Sequence, residues 1–295
     1  MIRLLICCLA SAFTCITSIE KAISAELIAG DEIVLARQFN IHSEILSEDR
    51  NLLVYLPASY GMEAGRERRY PVLYLLDGPA YFNATTGIVH HLADAAAAVG
   101  RIPEHIIVAI RNIRTSTKAT RNRDMTPSHM TSGLYSENSG GAASFRAFLE
   151  TELIPEIDSR FRTQKQRVLV GHSLAGLFTL DTLVERPQLF NSYVAIDPTA
   201  SWDGNLVARK LKSRTLAQSG VAARVFIAEA NSPHMTTAEQ QTQRDGIRSF
   251  RYALEESGRP VQESYRYFAD ETHLSVPLAG IYAGLLSVYG DFKKP

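Results

Sequence analysis

Five apolar runs constrain this chain more than anything else in it. They are YPVLYLLDG (70–78), HIIVAI (105–110), RVLVGHS (167–173), SYVAID (192–197) and ARVFIAEA (223–230). A strand with no polar side is buried on both faces, which is the condition of a mostly parallel sheet covered by helices. Helical periods lie between and after the runs, at Phe145–Phe161, Leu174–Glu185, Leu206–Gln218, Ala238–Ser257 and Leu278–Tyr289. Strands alternating with helices imply right-handed βαβ crossovers and a doubly wound α/β sheet. VQESYRYF (261–268) reads as the last strand. Glu32–Leu56 alternates and closes at Pro57, which adds antiparallel strands at the N-terminal side. The chain of 295 residues has room for one such domain, read here as residues 25–295. Within it, residues 111–141 show no clear period, and a loop of that length is expected to cap a site in part.

The charge balance narrows the partners. Lys+Arg and Asp+Glu each number 31, so no general polybasic surface for nucleic acid is expected. The start of the chain has its own character. Arg3 precedes the apolar run Leu4–Ile16, and Ala22, Ser24 and Ala25 follow. The run is shorter than the roughly 20 residues of a membrane-spanning helix, and it has the length of a signal-peptide core. The expectation is a leader of residues 1–24, cleavage near Ser24 or Ala25, a periplasmic or secreted product, and no stable membrane span afterwards. All three cysteines, Cys7, Cys8 and Cys15, fall inside that leader. A mature chain would then have no disulfide, Cys nucleophile or Cys-ligated metal.

The sharpest motif is Gly171-His172-Ser173-Leu174-Ala175-Gly176. It departs from G-x-S-x-G by one place, with Ala175 where the second glycine would stand and Gly176 next, and such a pattern is a weak signal alone. Here an apolar strand runs into it and a helix leaves it, which is the context of a serine held on a sharp turn. Ser173 is therefore the candidate nucleophile. A hydroxyl needs a base near neutral pH, and His273 is the candidate, in the polar loop between the last strand and last helix. His172 neighbours the serine but is expected to point away from it. His90 and His91 read as a helix surface, His105 as a strand start, and His42, His129 and His234 as loop or surface residues; none shows metal-ligand spacing, so neither a metal nor a cofactor is expected. The acid that orients the base should lie between the two. Glu229, at the end of ARVFIAEA, is the choice. Asp245 is the reserve, a Ser–His dyad stays open, and Asp197 is given a structural turn role with Pro198. Leu174 should supply one oxyanion N–H. Pro79 has none to give, so the second donor is expected at Ala80 or Tyr81, with Ala80 taken as the donor and Tyr81 as a pocket residue.

Several longer pieces resemble the esterase D-like branch of the α/β-hydrolases, especially its siderophore-esterase-like members: SEILSEDRNLLVYLPASY, YPVLYLLDGPAYF, RDMTP (123–127), FLETELIPEID, VLVGHSLAGLFTL and THLSVPL. The resemblance runs from about Ser43 to the C-terminus. It implies an α/β-hydrolase fold, a serine esterase activity on a small-molecule ester, and the nucleophile and base roles at Ser173 and His273. In two places the chain departs from the family pattern: Pro79 replaces a residue that is more often polar, and AEANSP lacks the usual Gly-x-x-acid.

Two other readings differ in class. One is an acyltransferase of the same fold, in which an alcohol replaces water. The other is a binding protein that keeps the fold without turnover. The substrate reading rests on Arg111, Arg114, Lys118, Arg121 and Arg123, cations that no acid interrupts before Asp124. Arg121 and Arg123 are the expected clamp for an anionic ester.

Overall fold

The computed structural model describes residues 34–94, 100–115, 119–133, 135–213, 222–233 and 235–290. The expected leader lies outside the described residues, as do Lys118 and His234.

The apolar runs become strands of one eight-stranded sheet, in the order β1-β2-β4-β3-β5-β6-β7-β8. These are β1 (Arg37–Ser43), β2 (Glu48–Tyr55), β3 (Tyr70–Leu75), β4 (Ile106–Ile110), β5 (Thr163–His172), β6 (Ser192–Ile196), β7 (Ala223–Ala230) and β8 (Val261–Phe268). β1 and β2 pair antiparallel, and β2 pairs antiparallel with β4. Every other pairing is parallel. Strands β3, β4 and β6 are buried along their whole length, which is why their sequences have no polar side.

Each face has its own helical layer. Phe82, Val89 and Leu92 of α1 (Gly78–Ala93) pack with Val276, Ile281 and Leu285 of α8 (Val276–Val288) on one face. Five helices cover the other: α3 (Ala142–Phe148), α4 (Ile154–Arg160), α5 (Leu174–Glu185), α6 (Trp202–Ser213) and α7 (Thr237–Glu256). A short helix, α2 (Arg121–Met125), lies inside the long loop. The helix expected over Phe145–Phe161 starts at Ala142 and passes through a π turn at Leu149–Leu153. That turn precedes Pro155, which has no N–H to continue an α ladder.

Of α1, the sequence pointed only to a helix surface at His90 and His91. Thr85, Thr86, Ile88 and Val89 are β-branched and Gly87 interrupts them, so the helical period is weak. Burial of Phe82, Val89 and Leu92 against the sheet decides the matter. Among the described residues, no helix is long and apolar enough to cross a membrane.

The side-chain alternation of the strands places everything that follows. In β5, Val168 and Val170 face the α1/α8 layer, whereas Leu169 faces the other. In β7, Phe226 and Ala228 face the α1/α8 layer, whereas Val225 and Ile227 face the other.

Candidate active site

β5 runs into α5 through Ser173, whose backbone sits at φ 61, ψ −121. A non-glycine residue held there stores about 1–3 kcal/mol of strain, and neighbouring packing must maintain it. The two motif glycines make that packing fit. A Cβ on Gly171 would collide with the Ala175 carbonyl, and one on Gly176 would crowd Pro198. The turn pushes Ser173 to the carboxyl edge of the sheet, onto a cavity of about 730 Å³. His273 lines the same cavity, as do Tyr81, His172, Arg114 and Arg121.

The acid on His273 is Asp197. Its Oδ2 lies 2.5 Å from His273 Nδ1. Asp197 is fully buried, and its Oδ1 accepts the Ala230 N–H at 3.1 Å. It follows the last residue of β6 with φ 39, so the backbone turns left-handed at the strand end and re-aims the carboxylate. The residue expected to serve the turn thus also carries the carboxylate that meets His273.

Glu229 does not reach His273. It shares the alternation of Val225 and Ile227, and so stands on the opposite face of the sheet from the α1/α8 layer that His273 introduces. There it accepts the Tyr265 hydroxyl at 2.8 Å and pairs with Arg244 at 3.3 Å. Burial raises its carboxyl above the usual range, and the Tyr265 hydrogen bond opposes the rise. Asp245 lies on α7, where its partners are Gln241 and Arg248.

His172 does not point away. It continues the Val168–Val170 side of β5, toward α1 and α8, and is buried. Its Nδ1 shares a 2.9 Å hydrogen bond with the Tyr81 hydroxyl, and its ring centroid lies 4.5 Å from that of His273. Burial, then the neighbouring His273, lowers its pKa to about 4, so the ring is neutral at physiological pH. Period-2 alternation along RVLVGHS was the sequence signal that could have found it.

The expected second oxyanion donor is already engaged. Ala80 lies in the first turn of α1, and its N–H donates to the Asp77 carbonyl at 3.0 Å. Leu174 is different: as the first residue of α5 it carries an N–H with no acceptor inside the helix. The polar group beside the elbow is Arg121. Its Nε and Nη2 donate to the Asp77 carboxylate at 2.9 and 2.8 Å, and Nη2 also lies 3.5 Å from the His172 carbonyl. Burial tends to lower the Arg121 pKa; the Asp77 hydrogen bonds and charge outweigh it and hold the guanidinium more firmly protonated than usual.

The expected clamp separates into parts. Arg123 does not line the cavity. It pairs with Glu48 at 2.5 Å and Asp124 at 2.8 Å, and the fully buried Arg50 holds the same two carboxylates. That network fastens β2 to α2. Arg114, exposed, lines the cavity and has no ion pair among the described residues.

A family model described as "Putative esterase" matches residues 43–257. Among curated relatives, the chain is 32% identical over 149 residues to the ferri-bacillibactin esterase BesA of Bacillus subtilis, 48% of this chain and 52% of that one. It is 30% identical over 138 residues to the apo-salmochelin esterase of Escherichia coli, 44% of this chain and 42% of that one. The chain thus spans about half the length of these curated relatives. A solved IroE-like serine hydrolase from Shewanella oneidensis superposes with a TM-score of 0.76 at 29% identity, over 88% of this chain and 82% of that one.

Proposed function

The chain belongs to the putative-esterase family, and from that premise we propose that it hydrolyses carboxylic esters through an acyl-enzyme on Ser173. One observation carries the reading: a serine on a strained strand-to-helix turn shares a cavity with a histidine whose far nitrogen is held by a buried aspartate. Asp197 accepts a hydrogen bond from the Nδ1–H of His273 and leaves Nε2 free to act as a base. Nε2 takes the Ser173 proton as Oγ attacks the ester carbonyl. The tetrahedral intermediate collapses, the alcohol leaves with the proton returned by His273, and water repeats the cycle on the acyl-serine.

The oxyanion is held by the Leu174 N–H and the Arg121 guanidinium. Pro79 supplies no N–H, and that of Ala80 is spent on α1. Arg121 is already fixed on Asp77 beside the elbow, so it needs no reorganisation as charge develops.

The substrate is an anionic ester, of the siderophore type named for the relatives above. Arg114 supports this as a cation at the cavity without a carboxylate partner among the described residues, and Tyr81 provides an aromatic wall. The chain acts outside the cytoplasm, a reading that rests on the leader pattern of residues 1–24. N-terminal sequencing of the exported protein should begin near Ala25; an intact Met1 overturns export.

A fluorophosphonate probe tests the central claim. Wild-type protein should label on Ser173 and turn over an ester panel, and Ser173→Ala should do neither while keeping its melting temperature. Labelling at another residue, or turnover by Ser173→Ala, sinks the mechanism.

A further inference from the structure

We propose that His172 is a positioning residue, a neutral ring that holds the His273 imidazole between Ser173 and Asp197, with Tyr81 fixing His172 in turn. The inference rests on the acyl-enzyme reading and assigns a part to a buried histidine that the reaction itself does not use.

The geometry is a row of side chains. Tyr81 stands in the first turn of α1, and its ring meets that of His172 edge to face at 5.8 Å. The 2.9 Å hydrogen bond to Nδ1 fixes which way round the His172 ring sits. The next ring is His273 at 4.5 Å, tilted by 42°. Its own far side is held by Asp197. His273 sits on a loop between β8 and α8 and is flanked by Leu274, one of the most exposed large apolar side chains among the described residues. Hydrogen bonds between Thr272 and Ser275 hold the backbone of the loop, and two contacts on the ring set where Nε2 points. Asp197 sets the height of the imidazole, and the face of His172 limits its swing.

A histidine suits this position better than a leucine or a charged residue. A flat ring restrains a flat ring, and a polar atom lets Tyr81 pin it. It must also stay uncharged. Each turnover makes His273 an imidazolium, and a second positive ring beside it would raise the barrier. The groups facing His172 are His273, Asp197, Asp77 and Tyr81, and burial outweighs the two carboxylates in keeping it neutral.

The test uses Tyr81→Phe, His172→Phe and the double variant. Positioning predicts that each single change lowers kcat about tenfold with KM changed less than threefold, because a misaimed base affects the chemical step and not ground-state binding. The double variant should be no slower than His172→Phe, since Tyr81 acts through His172. The His273 ring N–H proton, followed by NMR, should broaden or shift in all three, and this readout needs no turnover. Additive losses, a change confined to KM, or an unchanged kcat and ring signal would each overturn the inference. Wild-type protein that fails to label with the probe would instead overturn the acyl-enzyme reading, so the two failures differ. If His172→Phe does not fold, Tyr81→Phe, which deletes one oxygen, still decides by its kcat and its ring signal.

Discussion

Asp197 Oδ2 lies 2.5 Å from Nδ1 of His273, a residue 76 positions further along the chain. The acid stands at the end of β6, one strand before the place where the sequence pointed. The contact joins two of the loops at the carboxyl edge of the sheet. It ties the His273 ring to a buried carboxylate at the end of β6.

That contact predicts an order of effects among carboxylates. Asp197→Asn should lower kcat by about two to four orders of magnitude, because it removes the charge that stabilises the imidazolium and presents a competing donor to Nδ1. Glu229→Gln should leave kcat within a fewfold of wild type, since its partners are Tyr265 and Arg244. Steady-state kinetics on the two purified variants checks the order. The reverse ranking would return the acid role to Glu229.

Arg121 should behave as a transition-state group. Arg121→Gln is expected to cost about 10²–10³ in kcat, the size seen when one oxyanion donor is removed. Asp77→Asn should fall in the same direction by less, because the amide still accepts one hydrogen bond from Arg121. Asn tolerates the left-handed backbone that Asp77 adopts at φ 51, so the turn should survive the change. Single-turnover acylation rates are the measurement. A rise in KM alone in Arg121→Gln would make Arg121 a binding residue only.

The remaining arginines should divide by role. Arg114→Gln should raise KM about three- to fivefold for an anionic ester and leave a neutral ester of equal size unchanged, with the difference shrinking in salt. Arg123→Gln should change neither KM but lower stability by about 2 kcal/mol, because Glu48 and Asp124 lose a partner. Kinetics with the paired esters at two salt concentrations, beside urea melts, separates the two outcomes.

Two buried histidines should make the fold acid-sensitive. Burial lowers His105 to about 4, and His172 also stands at about 4. Both values lie below the 6.5 of an unfolded histidine, so the unfolded chain binds more protons between those limits. Stability is therefore complete above about pH 6.5 and declines as pH falls toward 4, by up to about 3 kcal/mol for each histidine. His105 is bonded to the Pro103 carbonyl and the Tyr289 hydroxyl. His105→Gln should flatten this slope in denaturant melts across that range. An unchanged slope would show that His105 does not carry it.

Ser173, the motif glycines and the parallel sheet were legible in the amino-acid order because each is local. A strand buried on both faces must be apolar throughout, and a serine forced onto a sharp turn needs its small neighbours within three residues. His273 was legible by its place between the last strand and last helix. Other assignments depended on which face of the sheet a side chain takes and on what stands across from it. Glu229 and His172 went wrong for that one reason: alternation puts the first on the far face and the second on the near one. Asp197 escaped because a left-handed residue after β6 re-aims its carboxylate, a turn that its neighbours in sequence do not announce. Arg121 and Arg123 are two residues apart and read alike, yet one meets Asp77 at the elbow and the other Glu48 on β2. The sequence alone determined that a serine would be presented on a sharp turn at the edge of a parallel sheet. Only the tertiary structure decided which charges meet it, because those pairings span tens of residues and are set by packing across the sheet.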